Sequence, residues 1–201
     1  MRRLLEISFL SQGLLAAASP LTRRLSSNDT FSLYAYGNNI GGLPILYSNG
    51  LAYIGNDSSL NSSFQSPYFP NIQLFLNIVT KSSSNTTLIA NPNTTLSSNA
   101  SWSSQIFAVP ATGSTGQVSF VADTSSDAVV TSGFFFYGHV AMLLTSSGNV
   151  ESLFFAQDTD TDGLWKLMWN MTAADGSLVP LTLKNSAPPR IRMVSSVQNK
   201  L

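Results

Sequence analysis

Short runs of aliphatic and aromatic residues recur along this chain, and each is closed by turn-forming residues before it reaches helical length. Candidate strands cover 31–36, 43–47, 51–54, 72–79, 105–109, 117–122, 128–137, 140–145, 150–156, 164–170 and 178–184. Several alternate apolar with polar residues, as in Gln117-Val118-Ser119-Phe120, which is the period of a half-buried strand. Asn49-Gly50 lies between two runs and supplies the positive φ of a tight hairpin. Ser147-Gly148-Asn149, Asp162-Gly163 and Asp175-Gly176 carry the same chemistry further on. After residue 24 no stretch shows the period of an amphipathic helix. Strands spaced roughly every 8–12 residues predict an all-β chain, an antiparallel β-sandwich or barrel-like fold of about ten short strands.

The chain has 201 residues, enough for one domain with a real core. Only 10% of residues are charged, yet twelve Phe and six Tyr must be buried, so low charge here does not signal disorder. A single β domain is expected over 25–184. Within it, 80–104 is dominated by Ser, Thr and Asn and reads as a long loop. Gly37, Gly41 and Gly42 lack the spacing, lysine and helix of a phosphate loop, and read as a turn or bulge where backbone passes closely. Pro188-Pro189 mark 185–201 as an extended tail.

The N-terminus has the parts of a secretory leader over 1–18. Arg2 and Arg3 begin it, a largely apolar stretch follows, and Ala16-Ala17-Ala18 offers small residues for cleavage after Ala18. Arg23-Arg24 is a dibasic pair, so 19–24 reads as a short propeptide cut after Arg24. Losing 1–24 removes four arginines and one glutamate and leaves a net charge of −3. With no basic patch, nucleic acid is a poor partner. The apolar leader is too short for a membrane span, so none is expected in the mature form. Sequons for N-glycosylation stand at Asn28, Asn56, Asn61, Asn85, Asn93, Asn99 and Asn170. They place their segments at the surface of a secreted, extracellular or wall-associated protein. The chain has no cysteine, which removes thiol catalysis and cysteine-bound metals.

A resemblance sits on two stretches. Leu33-Tyr34-Ala35-Tyr36-Gly37, Ile40-Gly41-Gly42-Leu43-Pro44 and Ala52-Tyr53-Ile54-Gly55 form the first. Phe136-Tyr137-Gly138, Leu153-Phe154-Phe155-Ala156 and Leu164-Trp165 through Trp169-Asn170 form the second. Together they resemble uncharacterised small secreted glycoproteins of filamentous fungi over about 30–184. The resemblance implies a fungal secretory route and carries no catalytic residues with it.

Local chemistry offers three candidates. Asp158, Asp160 and Asp162 alternate before Gly163, as in the first half of a calcium loop, although position twelve is Trp169 rather than a bidentate Glu. Ca²⁺ is therefore the one cofactor the residues suggest, against the plainer reading of an acidic hairpin turn. His139 is the only histidine, and no Gly-x-Ser-x-Gly elbow accompanies it, so a catalytic triad is not supported. Glu151, with Asp123, Asp127 or the 158–162 cluster, is the only carboxylate pairing open to a glycosidase. Trp102, Trp165 and Trp169 can stack on sugar rings or fill the core. Trp165 and Trp169, four apart, share one side of a strand. No catalytic residue is assigned. The expected function is non-enzymatic surface contact at a cell wall or host interface, with wall polysaccharide or an extracellular protein as partner. A carbohydrate-binding protein and a secreted hydrolase with an unrecognised carboxylate site remain alternatives.

Overall fold

A computed structural model describes residues 30–55, 76–80, 86–92, 101–172 and 177–189. These residues form sixteen strands and no helix: β1 (Thr30–Phe31), β2 (Tyr34–Gly37), β3 (Ile40–Ser48), β4 (Leu51–Gly55), β5 (Leu76–Thr80), β6 (Leu88–Pro92), β7 (Gln105–Pro110), β8 (Gly116–Gln117), β9 (Ser119–Val121), β10 (Val129–Val130), β11 (Phe134–Tyr137), β12 (Val140–Leu144), β13 (Val150–Glu151), β14 (Phe154–Asp158), β15 (Leu164–Trp169) and β16 (Leu178–Lys184). All pairings are antiparallel, as the alternating runs and short turns require.

Six strands, in the order β2, β3, β4, β15, β14 and β16, close into a barrel. The β3–β4 hairpin turns on Asn49 (φ 48) and Gly50 (φ 81). Both central residues are left-handed, the turn that matches strand twist. Inside the barrel, Ala35, Ala52 and Ala156 are wholly buried. Each stands opposite a larger side chain: Leu183, Tyr47 and Leu167 respectively. Pairing small with large fills a narrow barrel without voids.

The remaining strands build outward from this ring. From β4 the sheet continues through β9, β7, β6, β5 and β1. On the other side β12 joins β16 where Val140 meets Lys184, and β12 carries β11 and β13. The inner face of β11–β12 packs onto the first extension through phenyl rings. Phe134 meets Phe107 edge-on at 5.3 Å, and Phe136 meets Phe31 at 5.1 Å. Phe107 also touches Phe120 and Phe154, and Phe154 meets Trp169 at 4.8 Å. One aromatic core thus joins barrel and extensions.

Several sequence runs serve two partners. In 117–122, Gln117 pairs with Met168 of β15, whereas Ser119 pairs with Ala108 of β7. In 128–137 the break is Ser132-Gly133: β10 pairs with β7 and β11 with β12. The 80–104 segment is not all loop. Leu88–Pro92 forms β6, bonded to both β5 and β7, with Leu88 and Ala90 buried. Its short apolar stretch is hidden in the sequence by the Ser, Thr and Asn around it. The expected bulge is present, since the β2–β3 register shifts between Ala35 and Tyr36, and Gly42 has φ 80. A Cβ on Gly42 would lie 2.9 Å from the Pro188 ring. The tail is therefore anchored through its described residues, 185–189. The Tyr36 hydroxyl donates to the Ser186 carbonyl at 2.9 Å, and Asn185 N–H donates to the His139 carbonyl at 3.1 Å.

Candidate functional site

The three-stranded sheet β11–β12–β13 covers the core with one face only. Phe134, Phe136, Ala141 and Leu143 point inward and join the aromatic core. The register places their neighbours on the opposite face. Phe135 stands against Met142, Tyr137 against Val140, and Leu144 against Val150. An antiparallel sheet with one wet face normally alternates apolar and polar residues. Here the β11–β12 hairpin is apolar on both faces. Tyr137 is 76% exposed, Val150 57% and Leu144 49%. Phe135, Val140 and Met142 are partly exposed beside them.

This outer face is held rigid at its ends. The β11–β12 turn places Gly138 at φ 61, and His139 follows. His139 Nδ1 lies 2.9 Å from Asn185 Oδ1, so the ring ties the turn to the tail. The β12–β13 turn is closed on Thr145, whose hydroxyl accepts from Asn149 N–H at 3.0 Å and bonds Ser147 at 2.9 Å. Where β11 begins, Gly133 N–H donates to the Thr86 hydroxyl and Phe134 N–H to the Thr86 carbonyl. A surface fixed this way loses little side-chain and loop freedom when it is covered.

The side chains singled out in the sequence are placed elsewhere. Trp165 and Trp169 do share a side of β15, but that side faces the core. Trp169 is 2% exposed and packed on Phe154, so it cannot stack on a sugar. Trp165 is partly buried against the same core. Trp102 lies against Tyr47, with ring centroids 4.2 Å apart, and one ring face is thereby occupied. The three tryptophans form no exposed strip, because aromatics on inward strand positions gain more by filling the core.

Asp158, Asp160 and Asp162 are exposed on the β14–β15 turn. Thr159 organises that turn: its hydroxyl donates to the Leu164 carbonyl at 2.7 Å and accepts from Thr161 N–H at 3.2 Å. Among the described residues no three His, Asp or Glu side chains are grouped as a metal site requires, so these carboxylates do not converge as a calcium-binding set. Glu151 precedes β14 and Asp158 ends it. Glu151 pairs with Leu143 of β12, whereas Asp158 pairs with Trp165 of β15, so the two carboxylates belong to different strand pairs. Asp123 is held by Ser125, whose hydroxyl and backbone N–H donate to it. These bonds, the hydroxyl first, lower its pKa. On the barrel exterior, Lys184 Nζ sits 4.7 Å over the Tyr36 ring, and burial, with Tyr34 adding to it, raises the Tyr36 phenol.

Of the sequons, Asn170 lies among the described residues, at the end of β15 with φ 52. Its Nδ2 donates to the Ser114 carbonyl at 3.2 Å, and its backbone N–H donates to the Leu153 carbonyl at 2.8 Å. Asn28, Asn56, Asn61, Asn85, Asn93 and Asn99, together with the Ala18 and Arg24 cleavage positions, lie outside the described residues. Among the described residues no helix is long and apolar enough to cross a membrane.

The outer face of β11–β13 was not singled out in the sequence, although a signal was available. Residues 134–137 and 140–144 are apolar at every position rather than at alternate ones, and 128–150 carries no Asp, Glu, Lys or Arg. Such composition belongs to strands covered on both faces. No family model, no curated protein and no solved structure matches this chain.

Proposed function

We propose that this chain is a secreted, non-enzymatic glycoprotein that works by surface contact at a cell wall or host interface. One observation carries the contact reading: a sheet, β11–β12–β13, whose outward side chains carry no charge and, apart from the Tyr137 hydroxyl, no polar group. Large exposed apolar patches mark interaction sites on soluble proteins. The leader, dibasic pair and sequons support export. The resemblance to small secreted fungal glycoproteins supports a wall or host setting.

The face offers one hydroxyl, on Tyr137, and otherwise only carbon and sulfur. It suits an apolar protein surface better than a polysaccharide, whose hydroxyls need partners. The test is retention by isolated fungal walls, with and without their proteins. Protein collected from the medium should start at Ser19 or Leu25 and shift in mass on deglycosylation. Wild type retained by intact walls, with Leu144→Ser/Val150→Ser washed off, supports the reading. Equal retention of both, or retention of neither, refutes it.

A further inference from the structure

We infer that Asn170 carries an N-linked oligosaccharide in the folded, exported protein, and that the hydrogen left on the glycosylated Nδ2 ties the β7–β8 turn to the end of β15. The inference rests on the secretion reading above. It adds one modified position and a structural task for the nitrogen that bears the sugar.

The local geometry accounts for an asparagine at 170. β15 stops at Trp169, and the next residue takes φ 52, a left-handed conformation that Asn tolerates better than most residues with a side chain. Its backbone N–H donates to the Leu153 carbonyl at 2.8 Å, which fixes it just ahead of β14. From there Nδ2 reaches the Ser114 carbonyl at 3.2 Å. The turn it reaches is closed by Ser114 N–H donating to the Ala111 carbonyl at 2.8 Å, with Gly113 at φ 80. None of this asks anything of position 172. There the chain carries an exposed Thr, which completes the sequon Asn170-Met171-Thr172.

One nitrogen can perform both tasks. Thr112, Gly113, Ser114 and Thr115 are exposed, so Nδ2 bonds at the surface, where a glycan must sit. An Asn amide nitrogen has two hydrogens, and the Ser114 carbonyl takes one. In the transfer, Nδ2 bonds to the anomeric carbon of an oligosaccharide linked to a lipid diphosphate. The bond from that carbon to the diphosphate oxygen breaks, the lipid diphosphate leaves, and Nδ2 gives up one proton. The product is a secondary amide that still has one N–H to donate. Glycosylation therefore keeps the tie. An aspartate at 170 would lose the donor and set a carboxylate against the Ser114 carbonyl.

Two measurements on the full-length secreted protein test this. In the first, the denatured protein is treated with a glycoamidase in heavy-oxygen water, which turns each glycosylated Asn into a labelled Asp, and its peptides are mapped. The label should appear at 170. In the second, amide hydrogen exchange at Ser114 is compared among the native wild type, Thr172→Ala and Asn170→Asp. Thr172→Ala loses the sugar but keeps the amide, and should exchange like wild type. Asn170→Asp tolerates the same backbone but has no side-chain N–H, and should exchange about threefold to tenfold faster, the worth of one hydrogen bond. Position 170 unlabelled while other sequons are labelled overturns the proposal and leaves the glycoprotein reading standing. No label anywhere overturns both. A label at 170 with Thr172→Ala as fast as Asn170→Asp, or with all three alike, overturns the tie.

Discussion

Gly133 joins the contact sheet to the body of the protein, and replacing it tests how that joint is built. It has φ 94, its N–H donates to Thr86 Oγ1 at 2.8 Å, and its carbonyl accepts from Leu144 N–H at 2.8 Å. A Cβ placed there would lie 2.4 Å from the Leu144 carbonyl oxygen. That is backbone, which cannot swing aside as a side chain end can. Gly133→Ala therefore carries two costs. Positive φ with a Cβ costs about 1–2 kcal/mol. Displacing β12 to relieve the clash weakens at least one of the two flanking bonds, for about 1 kcal/mol more. The expected loss is about 2–3 kcal/mol, a fall of roughly 1–1.5 M in urea midpoint for a slope near 2 kcal/mol/M. Gly148→Ala is the control. Its φ is 85, but nothing lies within 4 Å of the new Cβ. It should show the backbone cost alone. Equilibrium urea unfolding of both variants decides the matter: if Gly133→Ala matches Gly148→Ala instead of falling about 0.5 M further, the clash with Leu144 does not control this joint.

Other outcomes follow from the same physics. Phe107→Ala should cost about 3–5 kcal/mol in urea unfolding, because a 1% exposed ring that touches Phe120, Phe134 and Phe154 leaves a cavity. Tyr36→Phe should cost about 1 kcal/mol and raise amide hydrogen exchange at Asn185, Ser186 and Ala187, since it removes the bond to the Ser186 carbonyl. The Asp123 pKa is lowered on folding, so its contribution to stability is present above the unfolded pKa and is lost as pH falls through the folded one. In an NMR titration, Ser125→Ala should move the Asp123 midpoint upward toward the ordinary aspartate value; no movement would mean that Ser125 is not the cause.

The class of fold was legible because it rests on local physics. Alternation, β-branched and aromatic residues and left-handed turn residues act within a few positions. The Asn49-Gly50 hairpin and the bulge near Gly42 could thus be expected. Partner choice acts across the chain. Nothing near Gln117 or Ser119 states that one pairs with β15 and the other with β7. Periodicity could place Trp165 and Trp169 on one side of a strand, but only closure of the barrel made that side the inside. The same division holds for the contact face. Its residues are plain in the sequence as a charge-free apolar run. Burial, however, depends on which elements stack on which face. Tertiary packing covered Phe134 and Phe136 with Phe107 and Phe31, and left Tyr137, Leu144 and Val150 uncovered.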